Sequence, residues 1–250
     1  LSMFCSLAHS QQTAQNLFGQ HRTALYQIKI IELESGNKSS IGSGFQIDAL
    51  GNVVTNYHVV SEYVYNPDKF RIEYLAHDGT GGQLQLVDVD VVNDLALVRK
   101  VQLSEQESAF PIAQSLPLQG SAIYSLGNPH DLGMIVVPGT FNGLKKSSFY
   151  QRIHFTGSIN PGMSGGPVVN EQGEVMGVNV ATAGNQIGFL IPLEKIQGLL
   201  KSQDAQALKN DQLKPRIQEQ LLANQNKLFS LLNNHSWETS ELGEAIIPSK

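Results

Sequence analysis

Apolar residues come in short bursts along this chain, and the spacing of the bursts carries most of the fold information. Residues 24–33 (ALYQIKIIEL) and 41–48 (IGSGFQID) are strand-like runs separated by the turn cluster Ser35–Gly36–Asn37. Gly51–Asn52 turns the chain into another strand that starts at Val53. Residues 70–75 (FRIEYL) and 83–91 (QLQLVDVDV) alternate with period two on either side of Asp78–Gly79, and 95–98 complete a first set. A patternless stretch with two prolines, 105–118, connects this set to a second one at 122–126, 134–137, 151–155, 167–169, 174–180 and 187–191. Gly143, Gly157, Gly173 and Gly184 punctuate the second set. Two successive sets of about six short strands, with no helical pattern between them, predict an all-β protein of two antiparallel barrels rather than a parallel α/β sheet.

The ends read differently. Residues 11–25 suggest a short helix or an irregular lead-in, with Leu17 and Phe18 as apolar anchors. Residues 1–8 (LSMFCSLA) are apolar and end in the small-x-small pattern Ser6–Leu7–Ala8; the tail of a secretory leader and the buried start of a helix both fit. After Pro192 the texture turns helical, and Ile217, Leu221, Leu228 and Leu232 form one apolar stripe over 214–233, with Pro215 near the first turn. A helix packed on the barrel surface is expected there, with self-association as the alternative. The expected organisation is a lead-in over 1–20, a two-barrel core over 21–200 and a helical extension over 202–250. Within the core the first barrel falls at about 21–104, the second at about 119–192 and a closing helix at 193–201.

Composition sharpens this picture. The 250 residues are 41% hydrophobic and only 16% charged, against roughly 25% charged in ordinary globular domains. With 23 glycines, this argues for a turn-rich β protein and against a coiled coil or a disordered chain. The net charge of −5 and the lack of any basic block point away from nucleic acid as a partner. No apolar run approaches the length of a membrane-spanning helix. The single cysteine, Cys5, excludes an internal disulfide and a CxxC zinc site, and nothing indicates a cofactor or metal.

The sharpest chemical signal is the run 160–169, NPGMSGGPVV. Gly162, Gly165 and Gly166 crowd Ser164, and each glycine carries an entropic cost that a plain strand has no use for. The run makes sense where the backbone turns sharply and aims N–H groups at one spot, so the N–H groups of Gly162 and Ser164 are candidates for an oxyanion hole. A glycine-rich turn with an incidental serine is the plain alternative for this run alone. A serine hydroxyl needs a base, and His58 stands out among seven histidines: it follows VVTNY at an expected strand end and precedes Val59–Val60. A satisfied core histidine would occupy the same setting. His77, His130 and His154 read as turn, loop and solvent-facing strand positions. The base needs an acceptor to fix its tautomer, and Asp94, between two apolar runs in VVNDLALVR, fits best. Asp88 and Asp90 alternate on a strand and are expected to face water.

Residues 42–60 (GSGFQIDALGNVVTNYHVV), 94–98 (DLALV), 126–129 (LGNP) and 156–169 (TGSINPGMSGGPVV), then 173–180 and 187–196 (IGFLIPLEKI), stand in the order of trypsin-like serine proteases. They most resemble the HtrA/DegP branch, over roughly residues 17–200. The resemblance implies two six-stranded barrels, His58 as general base, Asp94 as its orienting acid, Ser164 as nucleophile, and Gly162 and Ser164 as oxyanion donors. It implies a specificity pocket bordered by Asn179, Val180, Ala181 and Ile187, with Ser158 at its base. None of these is acidic, so a small or medium apolar side chain is expected in the pocket rather than Lys or Arg. Unfolded or extended polypeptide is the implied substrate, the periplasm or the cell exterior the implied location, and a homo-trimer joined through Leu17 and Phe18 the implied assembly, unless those two residues cap the first barrel. Two departures stand out. Met163 replaces the acidic or amide residue usual before the serine, which excludes activation by an ion pair to a new N-terminus and suggests a less firmly fixed loop. The roughly 50 residues after the core read as helical and do not resemble a PDZ domain.

Two other readings compete. Gly162–Gly166 also fits the elbow of α/β-hydrolases, with Ser164, Asp211 and His235 in that chain order, but the elbow must lead into a helix and Pro167–Val169 reads as a strand. A catalytically silent or gated protease-fold scaffold, binding partners through the helix over 214–233, is the second.

Overall fold

The computed structural model describes residues 13–104, 107–128, 133–145, 150–182, 188–233, 238–242 and 245–249, with the backbone alone for 181, 182 and the segments after 233. After a helix over residues 13–21 (α1), six strands close the first barrel: β1 (Leu25–Glu32), β2 (Lys38–Gln46), β3 (Asn52–Thr55), β4 (Phe70–Leu75), β5 (Gly81–Asp90) and β6 (Leu95–Lys100). They pair antiparallel in the order β1-β2-β3-β6-β5-β4. The second barrel closes in the order β10-β11-β12-β9-β8-β7, from β7 (Ala122–Gly127), β8 (Ile135–Leu144), β9 (Ile153–Thr156), β10 (Pro167–Val169), β11 (Val175–Thr182) and β12 (Gly188–Pro192). The expected pair of six-stranded barrels is what the chain forms.

Strand alternation builds two kinds of core at once. In β1, Tyr26, Ile28 and Ile30 fill the first barrel while Leu25 faces the second barrel. In β6, Ala96 and Val98 point inward and Leu95 and Leu97 outward. The outward set meets Tyr124, Leu126, Val169, Val178 and Ile191 of the second barrel, with Phe110 of the connection and Leu17 of α1 wedged among them. A strand buried on both faces reads as an unbroken apolar run, which is why LALV does not alternate. The connection is held on both sides: the Phe110 N–H donates to the Gln46 carbonyl at 2.8 Å, and the Val175 N–H to the Pro111 carbonyl at 2.8 Å.

Three differences from the sequence expectations matter. Helix α2 (Tyr57–Tyr65) occupies YHVVSEYVY, a β-branched and aromatic stretch; Tyr57, Val60 and Val64, spaced three and four apart, are buried on the first barrel, and that packing overrides strand propensity. Helix α3 (Leu193–Leu199) and a 3₁₀ turn (Leu200–Ser202) lead to α4 (Asn210–Asn233), whose packed face is not the expected stripe. Leu213 and Ile217 are buried, Gln220, Asn224 and Leu228 continue that face half-buried, and Leu221 and Leu232 are exposed. The extension is not helical throughout either: β13 (Glu238–Leu242) and β14 (Ala245–Ser249) pair as an antiparallel hairpin.

Candidate active site

The register of β3 against β6 brings the first two functional side chains together. Thr55 lies opposite Ala96, so the residues just beyond one strand end and just before the other share one rim. There His58, on the first turn of α2, meets Asp94. The His58 Nδ1 lies 2.8 Å from Asp94 Oδ2, and the His58 backbone N–H donates to Oδ1 at 2.9 Å. Asp94 has φ 65°, the one left-handed non-glycine residue among those described, and its own carbonyl accepts the Asn56 side-chain amide at 2.8 Å. The His58 side chain is 48% exposed, so the ring reaches solvent. From the second barrel Arg152 reaches the same turn, donating to the Asn93 carbonyl at 3.4 Å. Burial pushes its guanidinium pKa down, and the carboxylates of Asp94 and Asp90 oppose that shift.

Ser164 sits in a loop shaped by its neighbours. The Met163 N–H closes a turn on the Asn160 carbonyl at 3.0 Å, with Pro161 second and Gly162, φ 87°, third; proline followed by a left-handed glycine is the signature of a type II turn. The Gly165 N–H donates to the Asn179 carbonyl and the Gly166 N–H to the Met163 carbonyl, both at 3.0 Å. Among the described residues, the N–H groups of Gly162 and Ser164 donate to no protein acceptor. The Ser164 hydroxyl donates to the Val180 carbonyl at 3.2 Å. Val180 is the extra residue of a β-bulge, since Asn179 pairs with Leu190 and Ala181 with Phe189.

One residue that the sequence reading left without a role ties the two walls together. Ser43, fully buried on β2, donates its N–H to the Ser164 carbonyl and its hydroxyl to the Gly162 carbonyl, both at 2.7 Å. Its hydroxyl accepts the Asn128 N–H at 2.8 Å, and its carbonyl accepts the Thr55 hydroxyl at 2.7 Å. Its flanking glycines were the available signal: a Cβ on Gly42 would press on the Val59 side chain and the Ser164 carbonyl. Gly165, φ 85°, packs as tightly; a Cβ there would collide with the Ser43 carbonyl, the Thr55 hydroxyl and the Asn56 nitrogen. The residue after Ser164 thus rests on the residue two before His58.

Several expectations are corrected. Met163 does not loosen its loop: it is fully buried among Ile123, Phe141, Phe155 and Ile159, and it presses on Gly127. Asn179 is fully buried and does not border an open pocket. Its Oδ1 accepts the Ser125 hydroxyl at 2.8 Å and its Nδ2 donates to the Leu126 and Met163 carbonyls at 2.9 and 3.3 Å, so it braces the serine loop. Ser158 is exposed rather than at the base of an enclosed pocket. Val180 and Ala181 lie on β11 beside the serine, and Ile187 lies outside the described residues. Asp88 does not face water; a bulge between Leu86 and Asp88 turns it toward α4, where Arg216 grips it at 2.9 and 3.1 Å. Leu17 is buried while Phe18 is 40% exposed. Asp211 opens α4, His130 and His235 lie outside the described residues, and the run after Ser164 enters strand β10, which removes the hydrolase elbow. Among the described residues no three His, Cys, Asp or Glu side chains gather as a metal site, and no helix is long and apolar enough to cross a membrane.

Comparison with known proteins agrees with this fold. The family model of the trypsin-like peptidase domain matches residues 42–178, more than half of the chain. The putative serine protease HhoA of Synechocystis sp. is 35% identical over 172 residues, which cover 63% of this chain and 41% of that protein. A probable periplasmic serine endoprotease, DegP-like, of Chlamydia trachomatis is 36% identical over 162 residues, covering 60% of this chain and 31% of that protein. The chain therefore spans less than half the length of either relative. The crystal structure of the serine endoprotease from Yersinia pestis superposes with a TM-score of 0.65 at 26% identity, over 75% of this chain and 65% of that one. With two closed barrels and a family model matched over more than half of its length, the chain belongs to the trypsin-like peptidase family, and it is similar to the HhoA and DegP-like serine proteases.

Proposed function

We propose that the chain is a serine endopeptidase that hydrolyses unfolded or extended polypeptide through an acyl-enzyme, with Ser164 as nucleophile, His58 as general base and Asp94 as its orienting acid. The observation that carries this reading is the doubly bonded His58–Asp94 pair together with a serine whose loop rests on Ser43 and Asn56 of the same barrel and keeps two backbone N–H groups unengaged. The Ser164 hydroxyl rotates from the Val180 carbonyl toward the free nitrogen of His58, gives up its proton and attacks the peptide carbonyl. Asp94, bonded at Nδ1, holds the tautomer and stabilises the imidazolium. The N–H groups of Gly162 and Ser164 receive the oxyanion, each contributing about 2.7–4 kcal/mol to the lowering of the barrier. His58 returns its proton to the leaving amine and then activates the water that frees the acyl group.

Substrate backbone lies against β11 near Val180 and Ala181, and the lack of an acidic residue at Ser158, Val180, Ala181 or Ile187 favours a small or medium apolar side chain in the primary pocket. The chlamydial relative is a probable periplasmic endoprotease, which supports a periplasmic or secreted location. Exposed Phe18 is the contact through which a homo-trimer would form, and sedimentation of a Phe18→Ala variant tests it.

The decisive test of the activity is cleavage of an unfolded protein together with labelling by a serine-directed phosphonate. The wild-type chain is expected to cleave and to be labelled; Ser164→Ala is expected to do neither. Persistent labelling of Ser164→Ala would overturn the assignment. The resting bond from Ser164 to Val180 favours a gated enzyme as the second reading, and a folded wild-type chain that takes no label would establish the silent scaffold instead.

A further inference from the structure

Helix α4 lies outside both barrels, yet it reaches the turn that carries Asp94. Gln220, half-buried on α4, accepts the Val91 N–H with Oε1 at 2.8 Å and donates from Nε2 to the Val89 carbonyl at 2.5 Å. A side-chain amide bonded to the N–H and C=O of residues two apart imitates the rung of a neighbouring strand. It supplies a partner at the point where β5 ends and the sheet offers none. The helix is firmly seated on either side of this contact. One turn earlier Arg216 grips Asp88 and Ile217 is buried against the first barrel; one turn later the Asn224 amide donates to the Tyr150 hydroxyl at 3.1 Å.

What hangs on this turn is Asp94 in its left-handed conformation, which is unfavourable for a residue with a Cβ and persists only where its surroundings over-determine it. Asn56 holds its carbonyl and His58 its carboxylate, Asp90 binds Asn93 through Oδ1 and Oδ2 at 3.0 and 2.7 Å, and Arg152 reaches the Asn93 carbonyl. Gln220 closes the set from the outer side.

We propose that Gln220 is a positioning residue: by pairing with Val89 and Val91 it holds the β5–β6 turn so that Asp94 keeps its grip on His58. The inference rests on the proposed roles of His58, Asp94 and Ser164. Helix α4 is then part of the catalytic scaffold, and lifting it from the barrel lowers turnover.

The test uses the full chain. Gln220→Met keeps the volume of the side chain and removes both hydrogen bonds; Leu222→Ala, on the exposed side of α4, is the control. Two quantities are read: kcat and KM on a peptide substrate, and the low-field proton NMR resonance of the Nδ1–H shared by His58 and Asp94, assigned by its absence in His58→Ala. Gln220→Met is expected to lower kcat about fivefold to tenfold with KM held within about twofold, and to broaden the low-field resonance through exchange with water. Leu222→Ala is expected to change neither. A folded Gln220→Met chain with wild-type kcat and a sharp resonance overturns the inference. If Gln220→Met does not fold, Gln220→Glu, which retains the acceptor for the Val91 N–H, is read in the same two ways; an intermediate loss supports the inference and wild-type values overturn it. The resonance needs no turnover, so the two failures separate. An inactive wild-type chain whose resonance is lost in Gln220→Met breaks the proposed function and leaves the positioning role standing. An active chain that Gln220→Met leaves unaltered does the reverse.

Discussion

The two walls of the cleft hold their reactive groups by different means. On the first barrel the grip is polar and directed: Asp94 sits in a strained conformation and is tied by the Asn56 amide and by both the backbone and the ring of His58. On the second barrel the grip is on the backbone and largely apolar: Met163 is sunk in the core, buried Asn179 braces the loop from beneath, and the Ser164 side chain keeps a single bond of 3.2 Å. The difference fits the two roles proposed for these residues. A carboxylate that orients a base must not turn, so several hydrogen bonds fix it. A nucleophile must swing its hydroxyl toward the base, so its backbone is fixed and its side chain is left lightly held.

This contrast is open to attack in order of expected effect. Replacing the proposed orienting acid, Asp94→Asn, should keep the shape of the first wall and reverse the preferred tautomer, lowering kcat on an unfolded protein by about 10³–10⁴-fold; wild-type turnover would mean the polar grip is incidental. Gly165→Ala forces a Cβ into the Ser43 carbonyl at φ 85°, pushing the serine loop away from His58. A loss of about 10²-fold in kcat is expected from such a displacement, with the fold retained by circular dichroism. Ser43→Ala leaves the Asn128 N–H and the Gly162 carbonyl without their hydroxyl partner, and denaturant unfolding should show a loss of about 1–3 kcal/mol. No measurable loss would mean the second barrel fixes the serine loop alone.

The smallest effect belongs far from the cleft. Burial pushes the Glu107 carboxyl up, but the Lys100 ammonium and the Ser104 N–H and hydroxyl outweigh it and hold its pKa at about 2. A pKa depressed on folding contributes stability that is complete above the ordinary carboxylate value of about 4.3 and is lost as pH falls toward 2. The melting temperature should therefore fall over that window in the wild-type chain and fall less in Glu107→Gln, which should start lower at pH 6 and keep wild-type kcat at neutral pH. Equal slopes for the two chains would remove the ion pair from the account of the barrel end.

Much of this was legible in the chain itself. The bursts of apolar residues map onto the twelve barrel strands in their proper order, because period-two burial is local. The isolated carboxylate before LALV and the histidine after VVTNY mark two residues that the fold pairs, and the glycine run around Ser164 marks a loop that folds onto Ser43 and Asn56. What misled was local propensity or pattern set against distant partners. YHVVSEYVY looked like a strand end because nothing in it announces the barrel surface that makes it a helix. Asp88 looked solvated because the bulge beside it and the arginine that binds it, 128 residues away, leave no mark on the alternation. Met163 looked like a weakness because the cavity that receives it is built from β7, β8 and β9.

By itself, then, the order of residues determined which segments become strands, where the backbone must turn, and which side chains have the chemistry to act. Those are short-range consequences of side-chain period, glycine freedom and functional groups. Only the tertiary structure decided that Ser43 would join the two walls, that Asn179 would brace rather than bind, and that Gln220 of the outer helix would stand beside the turn of Asp94. Each of those roles is a hydrogen bond between groups far apart in sequence, and a polar side chain carries no local sign of the partner that burial will force upon it.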